Sequence, residues 1–379
     1  MASSKAKGVH VMAEKTTLGV VGCGGFCRGN HIPNLLSNPL VRLKSLCDLN
    51  TDGLEEYGTD VVTTDMEELF ADPEIQGVVC ATKPDARFEA MELAKKFRKP
   101  LFVEKPLCWG EEQTFKAVDM MREHSGLIFV GFNREFSPLM QDAKKAFLER
   151  CTSGNTTIIY RIIGESYLWP QHHYTAVVDR KESTIVHEVT HIFRLMHFFT
   201  GTYPVSVNTS GGGNMDNIIT LEYPGDITVV IIAGDNSNAG FPKEYLEING
   251  NHTTIAGYNF TELEVTGNDG TFIRNRYAYT IAGKPYITGR IEAEERKREF
   301  RFSVTEEERA YGYYYHRQPK VDKGHSQEME FFRRCAAGIT PSPINLFDGA
   351  AANILAYRAI KSHKQAQRIA LNIPGELGI

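Results

Sequence analysis

A glycine-rich turn directly after the first hydrophobic run constrains this chain more than any other feature. The run from Thr17 to Val21 predicts a buried strand, and it leads into Gly22-Cys23-Gly24-Gly25-Phe26-Cys27. In such a turn Gly22 permits the tight bend, and Gly24 lets the backbone approach a pyrophosphate that also faces the N–H groups of the next helix. We expect that helix to begin near Arg28. The turn predicts a dinucleotide site, although Cys27 stands where the fingerprint has Gly or Ala.

An acidic residue at the end of the second predicted strand strengthens this interpretation. The segment 41–47 is typical of a strand and is followed by Asp48, about 20 residues beyond the glycines. A carboxylate there accepts hydrogen bonds from the ribose of NAD and repels the 2′-phosphate of NADP, and Leu49 and Asn50 bring no cation to reverse that preference. NAD is therefore expected rather than NADP. In the alternative interpretation, Asp48 only ends the strand and starts a turn.

Composition and charge exclude several classes of protein. The chain has 379 residues, 42% of them hydrophobic, which is enough for two domains. A net charge of -5 with interspersed signs argues against a nucleic-acid partner. No apolar run approaches the ~20 residues of a membrane helix, and the first residues lack a signal-peptide core. Seven cysteines without a Cys-x-x-Cys pair suit a reducing cytoplasm.

The hydrophobic pattern changes once along the chain. Up to about residue 130, short apolar runs alternate with amphipathic helices, which predicts a parallel, doubly wound sheet. Its later strands are expected at 77–82, 100–103 and 127–130, with helices at 87–97 and 111–123. From about residue 155, longer runs separated by turn residues predict a second, mostly antiparallel sheet. Its strands are expected at 156–163, 205–210, 217–223, 227–233, 244–249 and 253–255, and further helices at 184–200, 326–337 and 348–362.

The tripeptide Glu104-Lys105-Pro106 follows a predicted strand of the first sheet. It therefore lies at the carboxyl edge, where open parallel sheets bind their ligands. Lys105 at that edge can reach a nicotinamide and a substrate together. Pro106 would fix the turn, with a cis bond as one way of doing so, and Glu104 would hold or tune the lysine ammonium.

Several motifs in sequence order resemble those of the Gfo/Idh/MocA family, which includes glucose-fructose oxidoreductases and inositol dehydrogenases. Besides the glycine turn they are Ala81-Thr82-Lys83-Pro84-Asp85, Phe102-Val103-Glu104-Lys105-Pro106-Leu107, Gly131-Phe132-Asn133-Arg134-Glu135-Phe136, and a helix with His187 ahead of Phe199-Thr200-Gly201. The likeness extends from Thr17 to about Leu371.

The resemblance implies an α/β protein in two domains. Residues 1–15 would be a loose extension, 16–135 a Rossmann NAD-binding domain, and 136–379 a C-terminal α+β domain for substrate binding and oligomerisation. The second domain would contain an open, mostly antiparallel sheet, and the protein would form a homodimer or homotetramer. The implied activity is hydride transfer between NAD(P) and a secondary hydroxyl of a sugar, a glycoside (a glucoside 3-hydroxyl included) or a cyclitol.

The same resemblance assigns residues to the site. It implies Lys105 and His187 as catalytic residues, and its cofactor contacts fall on Gly22, Gly24, Gly25, Phe26, Cys27, Asp48, Thr82, Pro84, Glu104 and Lys105. Together with the aromatic and polar loop that precedes the His187 helix, it places substrate contacts at Asn133, Arg134, Trp169, His172, His173, Tyr174, Ser183 and His187. Three positions depart from the family pattern, since Ser183 and Thr190 replace acidic residues and Arg87 replaces a histidine.

Alcohol oxidation defines what these side chains must do. A hydride leaves carbon while a base removes the hydroxyl proton. We expect His187 to be that base and the Lys105 cation to polarise the hydroxyl or the carbonyl that it becomes. Serine at 183 can orient His187 but supplies no negative charge, so Glu182, Asp179 or Glu188 would have to replace the missing carboxylate.

Two other interpretations remain open. His187-Glu188-Val189-Thr190-His191 is a literal H-E-x-x-H, which in a peptidase binds zinc and activates water. The longer zinc signature needs a glycine where this chain has Arg194, and in a continuous helix His197 lies about 9 Å beyond His191 along the axis. We therefore expect no metal, although His172, His173, His187 and His191 could form a non-peptidase site. The other alternative is a non-catalytic sugar or nucleotide sensor of the same fold.

Overall fold

Three β-sheets and the helices packed on them make up the part of the chain that the structure, a computed structural model, describes. That part consists of residues 14–164, 184–211, 216–234, 242–281, 284–287, 289–311 and 319–379. The sheets have six, nine and three strands.

The first sheet is parallel throughout, in the order β3-β2-β1-β4-β5-β6. Its strands are β1 Thr16–Val21, β2 Val41–Cys47, β3 Val61–Thr63, β4 Gly77–Cys80, β5 Leu101–Glu104 and β6 Ile128–Gly131. Most of them are continuous apolar runs because helices cover both faces. The strand order reverses between β1 and β4, and the crevice at the carboxyl ends there is where such sheets bind ligands. The predicted doubly wound sheet is confirmed.

The second sheet is mixed but mostly antiparallel, and among the described strands Thr156–Ile163 (β7) and Ile227–Gly234 (β10) are the pair that runs in parallel. Its order is β14-β13-β12-β11-β7-β10-β9-β8-β18. The strands are β7 Thr156–Ile163, β8 Ser206–Gly211, β9 Asn217–Tyr223, β10 Ile227–Gly234, β11 Glu244–Gly250, β12 Thr253–Tyr258, β13 Glu262–Gly267, β14 Phe272–Arg276 and β18 Ile369–Ala370. A small third sheet contains β15 Ala278–Ile281, β16 Lys284–Ile287 and β17 Lys320–Val321. This confirms the predicted second sheet.

Helices connect and cover the sheets. They are α1 Gly25–Gly29, α2 His31–Ser37, α3 Met66–Ala71, α4 Arg87–Phe97, α5 Glu111–Met121, α6 Pro138–Arg150, α7 Thr190–Thr200, α8 Arg290–Ser303, α9 Glu306–Tyr311, α10 His325–Ala336, α11 Leu346–Gln365 and α12 Ile373–Leu377. Short 3-10 turns lie at Glu55–Tyr57, Pro84–Ala86, Arg122–Leu127 and Asn133–Phe136, and a π-helical turn at Ile185–Val189 precedes α7. None of the described helices is long and apolar enough to span a membrane.

Two predicted helices differ from the structure. The helix after the glycine turn begins at Gly25 rather than near Arg28, and it breaks at Asn30, whose φ and ψ are −133° and −65°. Pro33 explains the break, because proline has no N–H and is tolerated in the first turn of α2 but not inside one long helix. The predicted helix 184–200 starts as the π-helical turn and becomes α-helical only at Thr190.

Helix α11 ties the two large sheets together. It packs against β8 of the second sheet, against α5 on the first sheet, and against α7. Asn353 donates to the carbonyl oxygen of Cys108 at 2.9 Å, and the Tyr357 hydroxyl accepts from the backbone of Gly110 at 2.6 Å. The division of the chain at residue 135 into two domains stays a prediction.

We predict that Asn345→Ala will destabilise the fold. Asn345 and Asp348 form a reciprocal capping box at the start of α11, each side chain accepting from the backbone of the other. Loss of the cap should lower the free energy of unfolding by about 1 kcal/mol. Urea denaturation measures the change, and Asn345→Ser, which retains a capping oxygen, is the control. Equal stability of the alanine variant and the parent would contradict the role given to this cap.

Candidate active site

The glycine turn has the shape that a pyrophosphate requires. Gly22 has a φ of +85°, and a Cβ at this position would lie 2.6 Å from the backbone nitrogen of Thr82. Only glycine therefore fits where the loops after β1 and β4 meet. A Cβ on Gly24 or Gly25 would meet no other atom within 4 Å. The backbone at these two glycines is accessible to a ligand.

Asp48 lies beside this turn at the end of β2. Its Oδ2 accepts from the backbone N–H of Cys23 at 2.5 Å, and its Oδ1 accepts from that of Asn50 at 2.9 Å. The carboxylate thus joins the glycine turn to the end of β2 and also starts the next turn, as the simpler interpretation expected. Its place at the carboxyl edge suits a ribose contact, and that role stays a prediction.

The remaining predicted cofactor residues surround the same crevice. Phe26 is 50% exposed, and its ring packs edge-on against the rings of His31 and His325. Cys27 is buried inside α1, so its small size serves packing. Thr82 follows β4, and the buried Pro84 starts the next 3-10 turn.

Glu104 is held by a histidine from the phosphate-binding side. Oε1 of Glu104 lies 2.7 Å from Nε2 of His31, which is fully buried at the start of α2. Burial raises the pKa of Glu104, but the hydrogen bond from His31 and the nearby positive charges, including Lys105 and Arg87, together lower it overall. An ionised carboxylate is thereby fixed directly behind Lys105. His31 was not among the predicted site residues, since only the tertiary fold brings it to a residue 73 positions away.

Lys105 connects the first sheet to the π-helical turn. The Lys105-Pro106 peptide bond is cis, which is one of the ways in which Pro106 was expected to fix this turn. Nζ of Lys105 donates to the carbonyl oxygen of His187 at 2.7 Å. Burial lowers the pKa of Lys105, and the charges of Glu188 and Glu104 oppose that shift. The lysine ammonium is therefore held by a backbone carbonyl, and the carboxylates of Glu188 and Glu104 both favour its charged form.

The helix that follows brings two histidines and a carboxylate to this place. The ring of His187 packs on the indole of Trp109, with 5.1 Å between the ring centroids. Although burial raises the pKa of Glu188, the charges of Lys243 and Lys105 outweigh it and hold that pKa at about 2. Glu188 is therefore ionised at neutral pH. Glu182 and Asp179, the other candidates for the missing carboxylate, lie outside the described residues, and the choice among the three stays a prediction.

His191 is the second histidine. It is 5% exposed, its Nδ1 is buried with no partner among the described residues, and its ring packs edge-on against Phe132. Burial, together with the charges of Arg134 and Lys105, lowers the pKa of His191 well below its usual value. The imidazole is therefore neutral at neutral pH, and the surrounding cations disfavour its protonated form. Sequence reasoning treated His191 only as a metal ligand; the signal for its position was its i+4 spacing from His187.

Arg134 and Asn133 lie at the base of the site. Arg134 donates from Nε to Oε2 of Glu244 at 2.7 Å and from Nη2 to Oε1 at 3.0 Å, and it is 3.4 Å from Glu188. Nδ2 of Asn133 donates to the backbone carbonyl of Lys323 at 2.7 Å. Both side chains hold neighbouring residues, and their predicted contact with substrate stays a prediction.

Two of the residues that depart from the family pattern, Arg87 and Thr190, have structural roles of their own. Arg87 is buried at the start of α4 and donates to the carbonyl oxygens of Thr82 and Pro106. It therefore ties the loops after β4 and β5 together. The Thr190 hydroxyl donates to the carbonyl oxygen of Val186 at 3.0 Å, inside the π-helical region. The predicted site residues Trp169, His172, His173, Tyr174 and Ser183 lie outside the described residues.

The zinc-peptidase interpretation finds little support. Glu188, which would activate water, is in an ion-pair network with Arg134 and Lys243. Arg194 forms buried ion pairs with Glu135 and Asp348. Within the described ranges, no three or more His, Cys, Asp or Glu side chains are placed to hold a metal.

These residues fit a bound dinucleotide. The glycines leave the backbone open at the switch point, and Asp48 ends the neighbouring strand. Lys105 lies at the edge of β5, where a nicotinamide would meet a substrate. A parallel sheet with this site defines the class of nicotinamide-dinucleotide-dependent oxidoreductases.

Comparison with known proteins supports this assignment to the oxidoreductases. Residues 16–132 match the model of the Gfo/Idh/MocA oxidoreductase family, which has an NAD-binding Rossmann fold. The predicted resemblance to this family is confirmed over these residues, which contain the parallel sheet. The chain is accordingly an oxidoreductase with a dinucleotide-binding Rossmann sheet.

Individual relatives share little sequence. The chain is 23% identical over 361 residues to the myo-inositol 2-dehydrogenase of Thermotoga maritima, covering 93% of this chain and 98% of that protein. It is 24% identical to the uncharacterized oxidoreductase YrbE of Bacillus subtilis over 137 residues, only 35% of this chain and 40% of YrbE. The scyllo-inositol dehydrogenase of Lactobacillus casei, solved with NAD(H) and scyllo-inositol, superposes with a TM-score of 0.68 at 15% identity, covering 94% and 99% of the two chains.

We predict that two alanine substitutions in the glycine turn will have different effects. Gly24→Ala should fold normally, because its Cβ enters open space, yet weaken dinucleotide binding about tenfold or more, a loss of ~1.4 kcal/mol. Gly22→Ala should destabilise the fold by about 1–3 kcal/mol, because the Cβ clashes with Thr82 and φ is positive. Thermal unfolding and titration of NADH fluorescence measure the two effects. Unchanged NADH affinity in Gly24→Ala would place the pyrophosphate elsewhere.

Proposed function

We propose that the protein is an NAD-dependent dehydrogenase acting on a secondary hydroxyl of a cyclitol, sugar or glycoside. The observation that carries the proposal is the contact between Nζ of Lys105 and the carbonyl oxygen of His187, 2.7 Å long. The contact joins a half-buried ammonium at the carboxyl edge of the dinucleotide-binding sheet to the helical segment that carries His187, Glu188 and His191, which supports the proposal. The inositol dehydrogenases among the relatives support the choice of substrate class.

In this proposal each residue has a separate task. Lys105 donates a hydrogen bond to the substrate oxygen and stabilises the negative charge that develops as the proton leaves. His187, on the rim next to Trp109, accepts that proton, and His191 is the second candidate because its imidazole is neutral and its Nδ1 has no partner in the described structure. Glu188 keeps Lys105 cationic. Bound NAD supplies the acceptor for the hydride.

We also propose NAD in preference to NADP and an oligomer formed through the second sheet. Asp48, whose carboxylate faces the glycine turn, would repel a 2′-phosphate. Ile218 of β9 and Ile232 of β10 point away from the core and are 48% and 36% exposed. Apolar residues on an open sheet face favour burial against a second copy. The cytoplasm remains the expected location.

Replacing Lys105 should abolish turnover while leaving cofactor binding intact. We expect Lys105→Met to lower kcat/KM by about 10³-fold, because removing one charge-stabilising donor costs roughly 3–4 kcal/mol in comparable sites. The assay follows absorbance of reduced nicotinamide with NAD or NADP and a panel of cyclitols, sugars and glucosides, with product analysis in case the cofactor is not released. Lys116→Met, on the exposed face of α5, is the matched control. A parent protein that binds NAD and panel compounds but turns none over would be a sensor.

Separate substitutions distinguish the two histidines. If a histidine is the proton acceptor, its alanine variant should have a kcat about 10²–10⁴-fold lower than the parent, as expected for general-base catalysis. We expect the larger loss for His187→Ala, and the pH profile of kcat should lose its acidic limb in that variant. A larger loss in His191→Ala would transfer the role to the buried histidine. If neither variant loses more than threefold, proton removal does not use this helix.

A further inference from the structure

The loop that leads from β5 to α5 contacts His187 at two places. This loop, residues 105–110, begins with Lys105, whose Nζ donates to the carbonyl oxygen of His187 at 2.7 Å. Four residues later, the indole of Trp109 packs on the imidazole of His187, with 5.1 Å between the ring centroids and 59° between the ring planes. One loop therefore contacts both the backbone and the side chain of the residue to which we assign proton removal.

Hydrogen bonds to α11 hold this loop on both sides of Trp109. The carbonyl oxygen of Cys108, a fully buried residue, accepts from Nδ2 of Asn353 at 2.9 Å. The backbone N–H of Gly110 donates to the hydroxyl of Tyr357 at 2.6 Å. Because the residues before and after Trp109 are both bonded to the same helix, the indole has a fixed support.

The indole nitrogen of Trp109 makes no hydrogen bond within the described part of the chain. Nε1 is buried there without a partner. A buried donor that has no partner costs free energy, which a phenylalanine or a leucine at this position would avoid. What tryptophan offers instead is a large flat ring, and that ring lies against His187.

The π-helical turn presents His187 to this loop. Three of the five residues of the turn are buried, namely Ile185, Val186 and Val189. His187 and Glu188 are only half-buried. Glu188 forms ion pairs with Arg134 and Lys243, and the ring of His187 meets Trp109.

An imidazole that removes a proton has to be oriented. One ring nitrogen must come within about 2.6–3.2 Å of the hydroxyl oxygen. The outer torsion of a histidine side chain has broad energy minima, so the side chain does not select one ring orientation by itself. A ring packed at 5.1 Å restricts that torsion, because turning the imidazole would bring it against the indole.

We propose that Trp109 is a positioning residue for His187, and that its indole holds the imidazole with one nitrogen towards the hydroxyl that Lys105 binds. The inference rests on the proposed dehydrogenase function and deepens it, since it names the residue that orients the base. Trp109 acts through His187, which distinguishes it from a residue that binds substrate or cofactor.

Variants of Trp109 separate the aromatic ring from the space that it fills. Trp109→Leu should lower kcat about tenfold, a change of ~1.4 kcal/mol in activation free energy. The KM for the substrate and the affinity for NADH should stay within about threefold of the parent, because only the orientation of the base changes. Trp109→Phe, which keeps a ring, should restore most of kcat. If Trp109→Leu fails to fold, Trp109→Met provides the same comparison.

A matched control tests the loss of an aromatic ring elsewhere. Phe115→Leu removes a half-buried ring of α5 that packs on the hydrophobic core, and it should leave kcat unchanged. An equal kcat in Trp109→Leu and the parent would overturn the inference. A higher KM at unchanged kcat would also overturn it, because the indole would then bind substrate.

A double-mutant cycle with His187 tests whether Trp109 acts through that residue. In the His187→Ala background there is no imidazole to orient, so Trp109→Leu should have little further effect on the residual kcat. If Trp109→Leu lowers the residual kcat by the same factor as in the parent, the two residues act independently and the inference is wrong.

The outcomes distinguish this inference from the function on which it rests. If panel compounds are turned over and His187→Ala loses less than about threefold in kcat, the dehydrogenase stands and the positioning role falls. If no compound is turned over, the proposed function fails, and fluorescence decides whether Trp109 holds His187.

The fluorescence measurement uses a protein with one tryptophan. The chain has two, so Trp169→Phe leaves Trp109 as the only emitter. An imidazole in contact with an indole quenches its emission, and His187→Ala in this background should therefore raise the emission of Trp109. His363→Ala, in the last turn of α11, is the control and should not. A rise supports the positioning contact, and emission that is unchanged by His187→Ala would refute it.

Discussion

The ion pair between Arg134 and Glu244 joins the two large sheets at the site. Arg134 belongs to the 3-10 turn after β6 of the parallel sheet, and Glu244 is the first residue of β11 in the second sheet. Both charges are buried, so each is tolerable only because the other is present with two hydrogen bonds. Such a buried ion pair adds little net stability, and its main effect is to fix the relative positions of the elements that it joins. It fixes where the second sheet lies relative to the carboxyl edge of the first.

The remaining site follows from that geometry. Glu188 lies 3.4 Å from Nη2 of Arg134, and the π-helical turn that carries it lies next to Lys105, the residue after β5. The carbonyl of His187 then meets the ammonium of Lys105. On the opposite side, Glu104 and His31 link Lys105 to the glycine turn. A series of polar contacts therefore extends from His31 through Glu104 and Lys105 to the second sheet, and loss of one partner would leave a buried charge behind.

The sequence predicted what depends on local patterns. Strands β2 and β7 and helix α4 have the predicted bounds, because their apolar periodicity and turn residues are local signals. Strands β13 and β14 and helices α6 and α8 were not predicted. Their patterns are polar or mixed, since one face meets solvent, as in α8, where charged residues dominate.

The site was predictable only in part for a related reason. Gly22, Asp48 and Lys105 were recognisable from their order after strands. In contrast, the pairs Arg134–Glu244 and His31–Glu104 join residues 110 and 73 positions apart, and no local spacing encodes such partners. The break of the first helix was readable in principle from Pro33, and the π-helical turn at Ile185–Val189 was not. That turn decides which atoms of His187 face Lys105.

The charges around Lys105 also restrict where the proton can go. Glu188 and Glu104 both favour the cationic form of Lys105, and both are ionised because cations or a histidine surround them. A lysine so held is a better hydrogen-bond donor than a base. In the proposed mechanism, proton removal is therefore assigned to an imidazole of the His187 helix rather than to Lys105. Glu188, the ionised carboxylate of this helix, thus acts on Lys105, and the group that replaces the acidic residue at position 183 stays a prediction.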